Sequence, residues 1–259
     1  MQELGELLQG KKALITGASK GIGRAISLAY AENGANLCLV SRKGDEVESL
    51  AKEIESRGKT RALALQGDVS DPAKAADIPS RAIQLLGGID ILVCAAGYPF
   101  SPELWNKPLH DYVDEDLLKV FNTDLMGSFR VAKGVIPEMM KQKSGVVILF
   151  SSTPAISGYD KGGSYTITKS AVRSLAKEIA SEYAEHNIRA YAIAPGNIKT
   201  DSTFNNLSQA DQLALAQESP MKRWGTPEEI GNVCVVLASN NMTFVTGQTI
   251  VVDGGTIML

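Results

Sequence analysis

Tyr165 and Lys169 stand four residues apart in Gly163-Ser164-Tyr165-Thr166-Ile167-Thr168-Lys169, which opens a long helical pattern. On an α-helix that spacing puts both side chains on one face, a turn apart. An ammonium beside a phenol favours the phenolate, which suits the phenol to proton exchange with an alcohol or carbonyl oxygen. Tyr165 is therefore a candidate general acid/base and Lys169 the charge that tunes it. Ser152 closes a β-rich run upstream, where its hydroxyl could meet the same oxygen. Each feature alone has an ordinary reading, since the tyrosine-lysine spacing is frequent on helices and serines at strand ends commonly serve turns. Their combination carries the chemistry.

A second cluster is Thr16-Gly17-Ala18-Ser19-Lys20-Gly21-Ile22-Gly23, directly after the first β-rich run and directly before a helical pattern. Glycines there let the backbone turn tightly and approach a pyrophosphate, whose charge the amides of a helix N-terminus stabilise. Gly17, Ser19, Lys20, Gly21, Ile22 and Gly23 are candidate dinucleotide-binding residues. No Lys-Ser/Thr pair follows the glycines, which argues against a P-loop NTPase. At the end of the second run, where an NAD site usually carries an acid for the ribose 2′-hydroxyl, the chain reads Ser41-Arg42-Lys43. A cation there pairs with a 2′-phosphate, Arg42 through a bidentate fork, and Lys20 adds a second positive charge. NADP(H) is the expected cofactor. Asp45, after Gly44, is expected to cap the next helix rather than hold a ribose.

Seven short apolar runs must position these residues: 13–16, 36–41, 61–66, 90–95, 146–151, 189–194 and 249–252. They alternate with amphipathic stretches, such as Ile22, Ile26 and Ala29, or Val172, Leu175, Ile179 and Tyr183, at helical spacing. That alternation predicts βαβ units around a seven-stranded parallel sheet covered on both faces, a doubly wound α/β Rossmann fold. Without a linker, repeat or low-complexity tract, residues 1–259 read as one domain. Two long segments, 98–111 with Trp105 and 199–226 with a helix-like stretch, are expected to form substrate walls, because ligands in such folds sit beyond the carboxyl ends of the strands.

The 259 residues are 44% apolar and 21% charged, near globular averages. Lys+Arg 26 against Asp+Glu 29 leaves a net charge of −3, so no global positive field recruits nucleic acid or an anionic membrane. Cys38, Cys94 and Cys234 are widely spaced in apolar runs and read as buried reduced thiols rather than a disulfide framework or metal site. His110 and His186 stand alone, so no metal is expected. The segment MQELGELLQG lacks a basic, apolar leader pattern, and no later run approaches a membrane span; a cytoplasmic location is expected.

These motifs, in this order, resemble the short-chain dehydrogenase/reductase family in its single-domain form over roughly residues 8–258. The resemblance implies that Gly17, Gly21 and Gly23 form the cofactor turn, that Asp68 and Val69 hold the adenine, and that Ser152, Tyr165 and Lys169 are catalytic. Lys169 also bonds the nicotinamide ribose. Pro195-Gly196-Asn197-Ile198-Lys199-Thr200 is similar to the segment that binds the carboxamide, with Pro195, Gly196, Ile198 and Thr200 as contacts. Where the family usually has Asn-Asn-Ala-Gly, this chain has Cys94-Ala95-Ala96-Gly97, and the backbone approach of Ala95, Ala96 and Gly97 to the cofactor is expected to survive. Asp124 occupies the place of the family's catalytic asparagine, whose main-chain carbonyl is thought to hold a proton-relaying water; Asn122 is an alternative in shifted register.

The resemblance implies an NADPH-dependent ketoreductase, closest in appearance to 3-oxoacyl thioester reductases that act on an acyl carrier protein or CoA substrate. The stretches 220–230 and 246–255 carry that likeness but are shared with sugar and xenobiotic carbonyl reductases. Lys143 and Lys177 fall where such enzymes have carrier-docking arginines, with solvated helix-end lysines as the competing reading. A reductase of a small free carbonyl or sugar, or a low-turnover NADPH-binding sensor, are the alternatives. A homotetramer built on the helices near 116–141 and 165–186 and on the last strand is implied.

Overall fold

A computed structural model describes residues 6–58 and 60–258 of the chain. The reading of the N-terminal segment rests partly on residues 1–5, which lie outside the described residues. Seven strands form one parallel sheet: β1 Lys12–Thr16, β2 Asn36–Ser41, β3 Ala62–Gln66, β4 Ile91–Cys94, β5 Gly145–Phe150, β6 Ile188–Pro195 and β7 Thr249–Val252, in the order β3-β2-β1-β4-β5-β6-β7. The helices are α1 Gly21–Glu32, α2 Gly44–Arg57, α3 Pro72–Leu86, α4 Pro102–Asn106, α5 Asp114–Phe121, α6 Gly127–Gln142, α7 Pro154–Ser157, α8 Gly163–Tyr183, α9 Gln209–Glu218 and α10 Pro227–Ala238.

The runs that become β2, β1, β4, β5 and β6 are central strands with both faces covered, while the edge strands β3 and β7 are more exposed. Successive side chains of a strand point to opposite faces, and β1 shows the result. Ile15 packs with Ile26 and Tyr30 of α1, Val47 and Leu50 of α2 and Ile230 of α10. Its neighbour Leu14 lies in the other core, with Ile78 of α3, Val131 and Met139 of α6, and Val172 and Ile179 of α8. The chain leaves β1 in one direction for β2 and later returns on its other side as β4, so β1 and β4 flank the point where strand order reverses. In such sheets a crevice opens there, beyond the carboxyl ends of the strands.

The expected runs and the strands agree to within a residue at each end. β4 is one residue shorter than the run 90–95 at each end, although the amides of Asp90 and Ala95 still donate to the Lys12 and Thr16 carbonyls of β1; the Asp90 carboxylate also accepts from the Lys12 amide at 2.8 Å. β5 ends before Ser151, whose hydroxyl donates to the Lys169 carbonyl at 2.9 Å. Asp45 is not a cap: α2 begins one residue earlier, after Lys43, and Asp45 lies in its first turn, where the helix dipole favours an acid.

Candidate active site

β5 delivers its carboxyl end to the first turns of α8. Lys169 is buried and donates through Nζ to the Phe150 carbonyl at 2.9 Å and to the Asp124 carboxylate at 2.7 Å. Its Nζ lies 5.5 Å from the centroid of the Tyr165 ring. Ser152 follows two residues after Phe150 and is also buried. Neither the Ser152 hydroxyl nor the Tyr165 hydroxyl has a hydrogen-bond partner among the described residues. The geometry thus brings Tyr165, Lys169 and Asp124 together and sets Ser152 at the adjoining strand end.

Asp124 sits in a π-helical turn, Asn122–Met126, between α5 and α6. Such one-turn widenings are frequent at functional sites. Its carboxylate is 3% exposed, accepting from the Tyr98 amide at 2.6 Å through Oδ1 and meeting Lys169 through Oδ2. Its main-chain carbonyl accepts from the Ser128 hydroxyl at 2.7 Å. The Asp124 side chain itself therefore meets Lys169. Burial works against the Lys169 ammonium, but the charges of Asp124 and Tyr165 and the hydrogen bond to Asp124 outweigh it and hold Lys169 above the ordinary lysine value. Asn122 is no substitute in shifted register. Its amide donates to the Ser70 carbonyl at 2.9 Å and its oxygen accepts from Arg130 at 2.9 Å, which ties it to the segment after β3.

The glycine turn lies across the switch point. Gly17 has φ +70°, and a Cβ there would fall 2.6 Å from the Cα and N of Ala96, so only glycine lets the turn touch the end of β4. The Ala95 amide donates to the Thr16 carbonyl at 3.1 Å, and the Ala18 amide to the Val40 carbonyl at 3.1 Å. The Ser41 hydroxyl donates to Ser19 at 3.0 Å, joining the end of β2 to the turn. Gly97 runs beside the Asp124 carboxylate. Thr200 faces Gly21, with its Cγ2 3.4 Å from where a Cβ would be.

Asp68 accepts from the Ser70 amide at 2.9 Å and hydroxyl at 2.7 Å. Burial opposes its charge, yet those bonds and the Arg42 charge hold the carboxyl below its usual range. Val69 packs against Gly127, and Ile198 is buried. The Pro195 carbonyl accepts from the Thr153 amide, next to Ser152, and the Gly196 amide donates to Val252. Gly196 is glycine for packing, since a Cβ would meet that of Asp253.

These residues fit a dinucleotide. α1 starts after Lys20 with no side-chain cap and no acid in its first turn, which leaves its first amides to an anion. Gly17→Ala is expected to cost roughly 1–3 kcal/mol, from the positive φ and the clash with Ala96. Urea unfolding checks this, and an unchanged midpoint would contradict the packing described.

Both long segments fold over this end of the sheet. α4 carries Trp105, whose ring centroid is 5.8 Å from those of Phe100, Tyr159 and Tyr165. Three ties hold it there: the Gly162 amide donates to the Trp105 carbonyl at 2.8 Å, the Tyr112 hydroxyl to the Leu104 carbonyl at 3.2 Å, and the Ser164 amide to the Tyr112 hydroxyl at 3.2 Å. The second segment contains α9 and an edge-on Phe204–Trp224 pair, with Lys199 over Phe204. Trp105 was legible only as an aromatic in a long loop; its contact with Tyr165 is a long-range one that no local spacing encodes. Lys143 and Lys177 are not at this mouth. Lys143 caps α6 just before β5, at the amino end of the strands, and Lys177 is exposed on α8 twelve residues past Tyr165, about 18 Å along the helix.

The three cysteines are buried and free, and burial pushes the Cys38 and Cys94 thiols up to about 12. Among the described residues no cluster of three His, Cys, Asp or Glu could hold a metal ion, and no helix is long and apolar enough to cross a membrane.

A family model described as enoyl-(acyl carrier protein) reductase matches residues 17–256. The chain is 36% identical over 252 residues to 3-oxoacyl-(acyl-carrier-protein) reductase FabG of Thermotoga maritima, covering 97% of this chain and 99% of the relative. It is 33% identical over 256 residues to L-rhamnose 1-dehydrogenase (NAD(P)(+)) of a Sphingomonas species, covering 96% and 97%. Among solved structures, 7α-hydroxysteroid dehydrogenase complexed with NADH and 7-oxo glycochenodeoxycholic acid superposes with a TM-score of 0.91 at 31% identity, over 98% of both chains.

Proposed function

The chain belongs to the short-chain dehydrogenase/reductase family of oxidoreductases acting on alcohol and ketone groups, and from that premise we propose that it is an NADP(H)-dependent ketoreductase with Ser152, Tyr165 and Lys169 as its catalytic residues. The observation that carries the reading is the pair of unpartnered hydroxyls, Ser152 and Tyr165, beside the buried Lys169 ammonium. When bound, the nicotinamide supplies the hydride. The Ser152 hydroxyl donates to the substrate's carbonyl oxygen, and Tyr165 gives its proton to that oxygen as negative charge develops. Lys169 stabilises the phenolate left behind and would hold the nicotinamide ribose when the cofactor is bound, while Asp124 keeps Lys169 charged. The glycine turn and the first amides of α1 take the pyrophosphate, Asp68 and Val69 the adenine, and Pro195 to Thr200 the carboxamide. Arg42, exposed and in no close ion pair among the described residues, is the cation that favours the 2′-phosphate. A homotetramer accords with apolar side chains exposed on α5, α6 and α8: Leu118, Phe129 and Ile167.

The names of the acyl-carrier relatives support a 3-oxoacyl thioester substrate. A free ring-bearing ketone or a sugar is favoured by a different observation. Phe100, Trp105 and Tyr159 wall the site, and burial together with the charges of Glu218 and Asp160 raises the Tyr159 phenol. Lys143 and Lys177, the lysines expected to dock a carrier, lie away from this wall. NADPH consumption with acetoacetyl-CoA, a cyclic 1,2-diketone and an aldose separates the readings. Trp105→Ala is expected to raise KM for the cyclic diketone roughly tenfold, about the energy of one aromatic contact. An unchanged KM would remove Trp105 from the substrate wall. Saturable NADPH binding without consumption of any carbonyl would contradict the enzyme reading.

A further inference from the structure

Glu46 lies in the first turn of α2, beside Lys20, assigned above to the 2′-phosphate, and beside Lys43, the neighbour of Arg42. Its Oε1 is 3.0 Å from Lys20 Nζ and also 3.0 Å from Lys43 Nζ. The two lysine side chains are about two-thirds exposed, and that of Glu46 about one-quarter. Hydrogen bonds from both lysines hold the Glu46 carboxyl below its usual range. The adjoining cleft, of about 440 Å³, is lined by Ser19, Lys20, Arg24, Asp45, Glu46 and Glu53 among others, and Arg24 is itself paired with Glu53 at 2.6 Å. Each cation of that cleft thus meets a carboxylate, and Asp45 adds a further one.

We propose that Glu46 is a specificity-determining residue that competes with the cofactor's 2′-phosphate for Lys20 and Lys43 and so limits discrimination between NADP(H) and NAD(H). This rests on the NADP(H) reading above. Exposed lysine–carboxylate pairs are worth little, so a phosphate can displace Glu46 from both lysines. The displaced carboxylate stays close to a group carrying about −1.5 to −2 charge, and that repulsion weakens binding. NAD(H), which lacks the phosphate, leaves the three-residue cluster undisturbed. The proposed strand-two preference is therefore set by Arg42 and moderated by Glu46.

The test is calorimetric binding of 2′,5′-ADP and 5′-AMP to the wild-type protein and to Glu46→Gln, at low and high salt. The amide keeps the size of the side chain and removes its charge. The variant is expected to bind 2′,5′-ADP roughly three- to tenfold more tightly at low salt, with 5′-AMP unchanged and the gain shrinking as salt screens exposed charges. If the wild-type protein prefers 2′,5′-ADP but Glu46→Gln leaves its affinity unaltered, Glu46 has no such role while the NADP(H) reading stands. A parallel loss for both ligands would instead assign Glu46 to holding the ribose or the loop, and would overturn the proposal. A wild-type protein that binds 5′-AMP as well as 2′,5′-ADP would overturn the NADP(H) reading and this proposal with it.

Discussion

Tyr165→Phe is expected to lower turnover by about 10²–10⁴-fold, the range spanned by a lost general acid/base, while nucleotide affinity stays near that of the wild type. The substitution removes one oxygen and keeps the ring. The packing of Trp105 at 5.8 Å and the position of the ring under Lys169 need only that ring. No hydrogen bond within the described residues is lost, because the phenol has none. Proton transfer to the substrate's oxygen disappears, and Ser152 remains as a donor that cannot deliver the proton at the same rate. Single-turnover kinetics with saturating NADPH reads the chemical step, and fluorescence titration of NADPH reads binding. Turnover within tenfold of the wild type would remove Tyr165 from its proposed role.

Asp124→Asn is expected to move the alkaline limb of the ketone-reduction rate to lower pH by roughly one to three units, the span typical of losing a close opposite charge. Burial pulls the Lys169 value down, and Asp124 is the leading opposing cause. Without that carboxylate the burial penalty dominates, and Lys169 gives up its proton at a lower pH. The sign for stability follows from the same pair. A lysine raised above its ordinary value of 10.5 in the folded chain stabilises fully below that pH and loses the contribution as pH rises through the folded value. At pH 7 the variant therefore leaves a buried ammonium facing a neutral amide, and removing one partner of a buried pair costs up to about 3–5 kcal/mol. The remaining bond to the Phe150 carbonyl, at 2.9 Å, reduces that cost. Rate profiles from pH 6 to 11, with urea unfolding at pH 7, check both effects. An alkaline limb that stays in place would mean that Asp124 does not govern the charge on Lys169.

The sheet was legible because its strands are apolar on both faces and separated by turn residues, a pattern that local sequence carries. Strand ends were less so: past the end of β5 the Ser151 amide still bonds to Ile193 of β6 while its hydroxyl reaches the Lys169 carbonyl on α8, a partner eighteen residues away. The Tyr165–Lys169 pair and the glycine turn were legible from their spacing taken together with their context, since helix periodicity and a strand-turn-helix setting fix their geometry. Asp124 was legible as a departure, but its contact was not. The π turn decides that its carboxylate, rather than Asn122, reaches Lys169, and a one-turn widening leaves no periodic mark. Glu46 carries no local signal, because Lys20, which lies beside it, comes from a different loop. Lys143, just before β5, lies at the end of that strand opposite Ser152, a placement that topology alone gives.

The most direct test of the catalytic assignment is a crystal structure of the protein with NADP⁺ and the alcohol product of an accepted ketone. The account predicts that the Tyr165 Oη and Ser152 Oγ both lie about 2.6–3.2 Å from the alcohol oxygen, with Lys169 still joined to Asp124. An alcohol oxygen held by other groups, with the Tyr165 phenol beyond its reach, would contradict it.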